Sequence, residues 1–396
     1  MDRKLLAPAV RARLKRYPPP DEAHYGVVPL PPTQDPIVIG PASPEHHAAI
    51  EALGRANALA AQHPSHFLLS RVLVRQEAVA SSDIEGTRST LDALLEVEET
   101  DDLEASDADK QVRDYAIALE AALHAVEASG YDAFTVPTIE QLHQSLMRGD
   151  SGFVAKHGPP GRFRQKQVRI GGRDFGSSTF NPPPHADVLQ CMTDHIAYLR
   201  SDGMQHLNQS IIAQMAVAHS HFEAVHPFPD GNGRVGRLLL PLMLRAAGHT
   251  PLYFAPYIAA FKTEYYEALR ASQQRLDYVP LIGHLSRAIA RTVEDAESAI
   301  GRLASLQLDW LQRKKFRKKS AAQRMLPLLA WHPVVTTRTV ERLLDASPAA
   351  ARIAVNQLAD AGILIERTGK QRYRVFQARE VLDIYQNPRL AIESED

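Results

Sequence analysis

Apolar residues recur at helical spacing from His46 onward. "PEHHAAIEALGRANALAAQHP" predicts one helix, and "FLLSRVLVRQEAVASSDIEG" a second that stops at Gly86. "TRSTLDALLEVEE" predicts a third, with Thr87 or Ser89 as its cap. Two more follow over "KQVRDYAIALEAALHAVEASG" and "TIEQLHQSLMRG". The rhythm breaks over residues 161–184, "GRFRQKQVRIGGRDFGSSTFNPPP". Here a short apolar run, a glycine pair and a polar turn predict a hairpin with a glycine-rich tip. Helical spacing returns in "ADVLQCMTDHIAYLRS", "NQSIIAQMAVAHSHFEAVHP", "RVGRLLLPLMLRAAG" and "TEYYEALRASQQ". It ends in one long run, "VPLIGHLSRAIARTVEDAESAIGRLASLQLDWLQ".

The two ends of the chain differ from this helical body. Tyr17 to Pro44 is rich in proline and predicts an extended strap over the surface of the body. After the long helix comes "QRKKFRKKS", a basic run that marks a boundary. The remainder predicts helix, helix, turn, helix and a two-stranded ribbon, "ILIERT" and "QRYRVF". That is the order of a winged helix-turn-helix. Ser347 and Pro348 open its third helix.

Composition narrows the class. At 396 residues the chain exceeds one ordinary core, so two or three domains are expected. With 44% hydrophobic and 23% charged residues it reads as a soluble protein. The net charge of −1 gives no overall bias toward nucleic acid. Cys191 is the single cysteine, which excludes an intramolecular disulfide and suits a reducing cytoplasm. Neither a signal peptide nor a membrane-length apolar run is recognisable, so a cytoplasmic location without membrane contact is expected.

The candidate chemistry is concentrated in "HPFPDGNGRVGR", His226 to Arg237. Gly231, Asn232 and Gly233 allow close backbone approach just before a helix opens near Arg234. The free N–H groups and partial positive charge of a helix start make an anion cradle. Arg234 and Arg237 are neighbours on one helical face and suit a polyphosphate. Asp230 adds a hard oxygen fit for Mg²⁺. His226 can accept a proton from an attacking hydroxyl. Phe228 is the apolar anchor of the loop.

This stretch resembles the signature of Fic-domain proteins, HxFx(D/E)GNGRxxR, at every defined position, and the resemblance extends over residues 45–280. It implies a mainly α fold: a Fic-type helical bundle with a β-hairpin flap. It also implies transfer of AMP from ATP to a protein hydroxyl. His226 would be the general base, and Asp230 would hold Mg²⁺ on the α- and β-phosphates. Gly231, Asn232 and Gly233 would form the anion hole, Arg234 would contact phosphate, and Arg237 would clamp the γ-phosphate. The flap, Gln167, Val168, Arg169, Ile170 and Gly171, would dock a target peptide by strand pairing. Tyr265, Tyr266 and Gln273 fall where the family lines its adenine pocket, and His221 lies near the nucleotide by position.

A second family pattern, (S/T)xxxE(G/N), matches "SSDIEG", with Ser81, Glu85 and Gly86 at its defined positions. A glutamate brought to Arg237 would take the place of the γ-phosphate and misplace the nucleotide. Some family members use this glutamate to remove AMP as well. The expected partition is a proline-rich arm (1–45), an N-terminal helical region carrying the inhibitory motif (46–120), a Fic core (121–305), a basic linker (306–320) and a winged helix-turn-helix (321–390). Two readings of the last module stay open. In one it binds DNA, with Arg352, Asn356 and Gln357 in the major groove and Arg367, Lys370, Arg372 and Arg374 on phosphates. In the other it docks protein or forms a homodimer. The partners expected are thus ATP, a hydroxyl-bearing target protein or the chain itself, and a second copy or DNA. The function alternatives are a nucleotide-sensing DNA-binding regulator and transfer of another phosphate-containing group, such as UMP or phosphocholine.

Overall fold

A computed structural model of the chain describes residues 1–62, 71–100, 105–203, 205–367 and 374–386. Its first elements are α1 (Pro8–Arg11) and the strands β1 (Leu14–Arg16) and β2 (Tyr25–Val27). The helical body then runs through α2 (Ser43–Gln62), α3 (Arg71–Ile84), α4 (Leu91–Thr100), α5 (Asp107–Ser129), α6 (Val136–Met147) and α7 (Ser151–His157). It continues with α8 (Val188–Leu199), α9 (Ile211–Val225), α10 (Asn232–Ala246), α11 (Ala255–Ala260), α12 (Lys262–Arg275) and α13 (Val279–Arg313). Among the described residues, no helix is long and apolar enough to cross a membrane.

Side-chain caps set where these helices begin. Ser106 accepts from the Asp109 N–H, Thr135 from Thr138, Asp150 from Phe153 and Ser210 from Ala213. At α4 the cap is Thr90, which accepts from the Ala93 N–H at 3.3 Å, rather than Thr87 or Ser89. Those two are engaged elsewhere. The Thr87 N–H closes α3 on the Ser82 carbonyl at 3.0 Å, and the Ser89 hydroxyl donates to Asp109.

The centre of the body is α9, buried at every residue from Ile212 to Val225. A helix buried on all sides must be sheathed, and α8, α10, α12 and α13 pack around it. The end of α9 is therefore firmly held, and the His226–Arg237 motif starts there.

The proline-rich arm is more structured than an extended strap. It includes β2, which pairs antiparallel with β1, Leu14 opposite Val27. The arm lies on the body through the Tyr17 hydroxyl to the Pro182 carbonyl (2.6 Å) and the Val27 N–H to the Asn181 carbonyl (2.9 Å). Only glycine fits at Gly26, because a Cβ there would lie 2.1 Å from the Pro182 oxygen. The flap also departs from expectation. Gly171 and Gly172, at φ 65° and 68°, do turn the chain, but the hairpin reduces to one bridge, Ile170 against Phe180. Each limb is bonded to other parts of the protein: the Arg164 N–H to Pro227, and Asn181 to the arm. Gln167, Val168 and Arg169 belong to no strand.

The C-terminal module comprises α14 (Ala321–Met325), β3 (Val334–Thr336), α15 (Thr337–Leu344), α16 (Pro348–Asp360), β4 (Ile365–Glu366), β5 (Val375–Gln377) and α17 (Arg379–Gln386). Its three strands form one antiparallel sheet in the order β3–β5–β4. The expected two-stranded ribbon thus gains a third strand. Its tip, with Lys370 and Arg372, lies outside the described residues. Residues 306–320 are not a free linker: α13 runs to Arg313, and the buried Trp310 donates its indole N–H to Glu380 at 2.9 Å. The module docks on α3 and α4. Gln76 donates to the Tyr385 carbonyl at 2.7 Å, and the Thr339 hydroxyl donates to Glu99. Arg367 is paired with Asp92 and Glu96 of α4, and Arg374 with Glu366.

Candidate active site

The site forms between the end of α9 and the start of α10. α9 stops because His226 takes a left-handed backbone (φ 48°, ψ 62°), which costs a non-glycine residue about 1–3 kcal/mol. Arg164 holds that turn. Its guanidinium donates to the carbonyls of His226 (2.8 Å), Val225 (3.3 Å), Pro183 (2.6 Å) and Lys166 (3.1 Å), and its own N–H donates to Pro227 (2.9 Å). Burial lowers the Arg164 pKa to about 10, so it stays a cation, satisfied by carbonyl dipoles.

Asn232 closes the loop. Its Oδ1 accepts the Phe228 N–H at 2.8 Å and its Nδ2 donates to the Phe228 carbonyl at 2.9 Å. The side chain is therefore committed to the loop, and only the backbone of Asn232 is left to face an anion. Asn232→Ala should orphan both buried groups and cost about 1–3 kcal/mol, read as a lower urea midpoint with unchanged slope. Phe228 is fully buried and stacked on His143, ring centroids 3.8 Å apart. Gly161 donates its N–H to His143 Nδ1 (2.9 Å), so Nε2 carries the proton and donates to the Asp230 carbonyl at 3.0 Å. Burial lowers His143 to about 4, which keeps it neutral for this role.

His226 itself is about one-fifth exposed, 21% for the side chain. Burial, then Arg164, pushes its pKa down to about 4, so the imidazole is neutral at neutral pH and can accept a proton. Its Nδ1 has no hydrogen-bond partner. Asp230 is exposed at the loop tip, with Oδ1 accepting the Gly231 N–H at 2.6 Å. Gly231 caps α10 at φ 78°, where a Cβ would lie 2.8 Å from the Met147 sulfur.

The first turn of α10 faces an internal anion. A Cβ on Gly233 would lie 2.2 Å from Glu85 Oε1. Glu85 thus sits against the free N–H end of the helix, the place an external anion would take. Arg237, 1% exposed, donates to Glu85 Oε1 at 2.8 Å, to the Ser81 hydroxyl at 2.9 Å and to the Ser81 carbonyl at 2.9 Å. Arg234 is also buried, 3.5 Å from Gln111, with its Nε unpartnered. Burial pushes the Glu85 pKa up, but Arg237, with Arg234 and His226, outweighs it and holds the carboxyl below its ordinary range. Gly86, at φ 90°, ends α3 here, and Lys262 donates to the Ile84 carbonyl at 2.5 Å, a cation at a helix C-terminus.

Of the expected adenine-pocket residues, Tyr265 and Tyr266 lie together, ring centroids 5.3 Å apart, within electrostatic reach of Arg237 and Glu85, and Gln273 lies elsewhere. Tyr265 is buried, and its hydroxyl donates to His219 Nε2 at 2.6 Å, while His219 Nδ1 donates to the Gly236 carbonyl at 3.2 Å. Tyr266 is 40% exposed, with the Lys262 ammonium 5.9 Å above its ring. His221 and Gln273 line a separate cavity with Phe180, Ser272 and Leu276, which includes none of the motif residues. The His221 ring stacks on His195 at 5.5 Å, and none of their ring nitrogens has a partner. In the flap, Gln167 is held on both sides of its amide by His185. Arg164, His143, His219 and Glu223 complete the site without a sequence signal of their own. Each lies outside the motif and is recognisable only by what it touches.

Residues 133–244 match the family model described as Fic/DOC family, and residues 44–124 match Fic/DOC family N-terminal. The Caenorhabditis elegans protein adenylyltransferase fic-1 is 28% identical over 201 residues, 49% of this chain and 34% of that protein. The Drosophila melanogaster protein adenylyltransferase Fic is 26% identical over 249 residues, 60% of this chain and 46% of that protein. The chain therefore spans less than half the length of these curated relatives. A solved Fic family protein from Desulfovibrio desulfuricans G20 superposes with a TM-score of 0.54 at 22% identity, covering 87% of this chain and 98% of that one. At that identity the likeness is one of fold.

Proposed function

We propose that this chain, whose residues 133–244 match the Fic/DOC family model, is a protein adenylyltransferase restrained by its own Glu85. The observation that carries the reading is the carboxylate of Glu85 seated against Gly233 at the start of α10 and bonded to Arg237. A buried cation beside a free helix N-terminus is a polyphosphate site, here filled by an internal anion.

In the reaction, His226 Nε2 takes the proton of the acceptor hydroxyl. That oxygen bonds the α-phosphorus of ATP, and the bond from the α-phosphorus to the bridging oxygen breaks, releasing pyrophosphate. The N–H groups at the start of α10, with Arg234, stabilise the charge on the transferring phosphoryl group. Arg237 holds the γ-phosphate once Glu85 leaves. One exposed carboxylate beside a phosphate cradle fits Mg²⁺, which is usually held by one or two carboxylates and substrate oxygens. Asp230 would be that ligand, and the ion would neutralise charge between the α- and β-phosphates. Among the described residues there is no group of three His, Cys, Asp or Glu that could cage a metal alone. The ion's binding would then depend on the nucleotide.

Intact-protein mass spectrometry of the Glu85→Gly chain incubated with Mg-ATP tests the reading. One or more AMP adducts on the chain, or on an added target protein, are expected. No adduct on either, with nucleotide demonstrably bound, overturns it. The same measurement with UTP reads donor choice. Loss of adduct on adding wild-type chain reads AMP removal. The DNA-binding alternative has less support, because Arg367 and Arg374 are spent on Asp92, Glu96 and Glu366.

A further inference from the structure

Glu223 lies on α9, nearly one turn before His226, and is buried. A carboxyl group in a core is costly unless its surroundings are shaped for it. Here they are shaped by an absence. Gly236 on α10 has no side chain, and a Cβ there would lie 2.5 Å from Glu223 Oε1. Phe222 and His219 close the same space, 3.1 and 3.2 Å from that point. Oε1 has no hydrogen-bond partner, and neither has His226 Nδ1. Oε2 lies 3.9 Å from that Nδ1, and the Glu223 backbone beside the His226 ring also favours its charged form.

We propose that Glu223 is a positioning residue for the general base. Its carboxylate, lodged in the space left by Gly236, turns the His226 ring so that Nδ1 carries its proton toward Glu223. The Nε2 lone pair then faces the acceptor hydroxyl. The inference rests on the adenylyltransferase reading and adds to it the group that supports the base.

The site needs such a group. When Nε2 takes the hydroxyl proton the ring becomes a cation, and Arg164 already opposes a positive charge there. The carboxylates that favour it are Glu85 and Asp230. In the reaction Glu85 is displaced and Asp230 is engaged at the phosphates. Glu223 remains, close enough to stabilise the imidazolium once its own proton is gone.

The groups that act on Glu223 are Arg237 from α10, Glu85 from α3, Tyr265 from α12 and His226 beyond the end of α9. Burial raises its pKa to about 7, Arg237 opposes the rise and Glu85 adds to it. The active form is the ionised one, so the rate should rise with pH as Glu223 loses its proton.

The test uses the Glu85→Gly chain, with and without Glu223→Gln. Self-labelling is followed from about pH 5 to 9, and the ring nitrogens of His226 are assigned by ¹⁵N NMR. In the parent, the Nδ1–H tautomer and a rate that rises with pH are expected. In Glu223→Gln, labelling should fall about tenfold or more at the alkaline end, with KM for ATP unchanged and the rise abolished. Gly236→Ala, which displaces the carboxylate without removing it, should give the same defect. Glu223→Asp should recover part of the rate. Parent-like labelling and pH profile in Glu223→Gln overturn the proposal, because a residue that only fills space is replaced well by glutamine. An Nε2–H tautomer in the parent overturns it too. If the Glu85→Gly chain takes up no AMP, the functional reading falls, while the tautomer measurement still decides the role of Glu223.

Discussion

His226→Ala, made in the Glu85→Gly chain, is expected to lower AMP transfer about 10²–10⁴-fold, the contribution of a positioned general base. ATP binding should be nearly unchanged, because the phosphate contacts come from α10 and its arginines. Two features make the effect large. The imidazole, with its pKa lowered to about 4, is already neutral at working pH. The left-handed turn that aims it is held by Arg164, which donates to the carbonyls of Val225, His226 and Pro227. Radiolabel from α-³²P ATP reports the loss directly. Labelling equal to that of the parent would remove His226 from the mechanism.

Glu85→Gly alone is expected to raise AMP transfer by about 10²-fold or more, since a phosphate chain misplaced by an ångström loses about that much rate. The same change should lower stability. Arg237 is buried, and without Glu85 it retains only the hydroxyl and carbonyl of Ser81. Mg-ATP should therefore raise the melting temperature of the variant more than that of the wild type, because its phosphates replace the lost anion. Equal shifts in the two proteins would mean that the nucleotide does not compete with Glu85. The pH dependence of the restraint follows from the depressed Glu85 pKa. A depressed carboxyl stabilises the pair fully above its unfolded value and loses that effect as pH falls through the folded value. Swings around neutrality should leave the restraint closed, and only acid should loosen it.

The two motifs were legible in the sequence because they combine glycines, a helix start and paired charges at fixed spacing, each with one physical purpose. Arg237 and Glu85 do meet, across 152 residues. The helices were legible too, since α10 and α13 keep their apolar residues at helical spacing. What stayed hidden depends on the partner each group finds in the folded chain. Asn232 has the residue type of an anion-hole group, yet its amide is used on Phe228. The flap has hairpin chemistry, yet Arg164 and Asn181 bond other segments and leave a single bridge. His221 and His219 are two positions apart and indistinguishable by pattern. Helical geometry turns His219 toward Gly236 and Tyr265 and His221 toward a different cavity. Strand β3, only three residues long, is too short to show any alternation.

Helix α13 passes without a break from the body to the last module, 35 residues and about 50 Å long. A continuous helix acts as a shaft, and its angular phase sets where everything beyond it points. One residue inserted near Gly301 would rotate the far end by about 100° and advance it by about 1.5 Å. Trp310 would swing away from Glu380, and Arg367 would be carried off Asp92 and Glu96. The number of residues in this segment is therefore as constrained as their identity, and changes of chain length belong in the loops, where no such gearing exists.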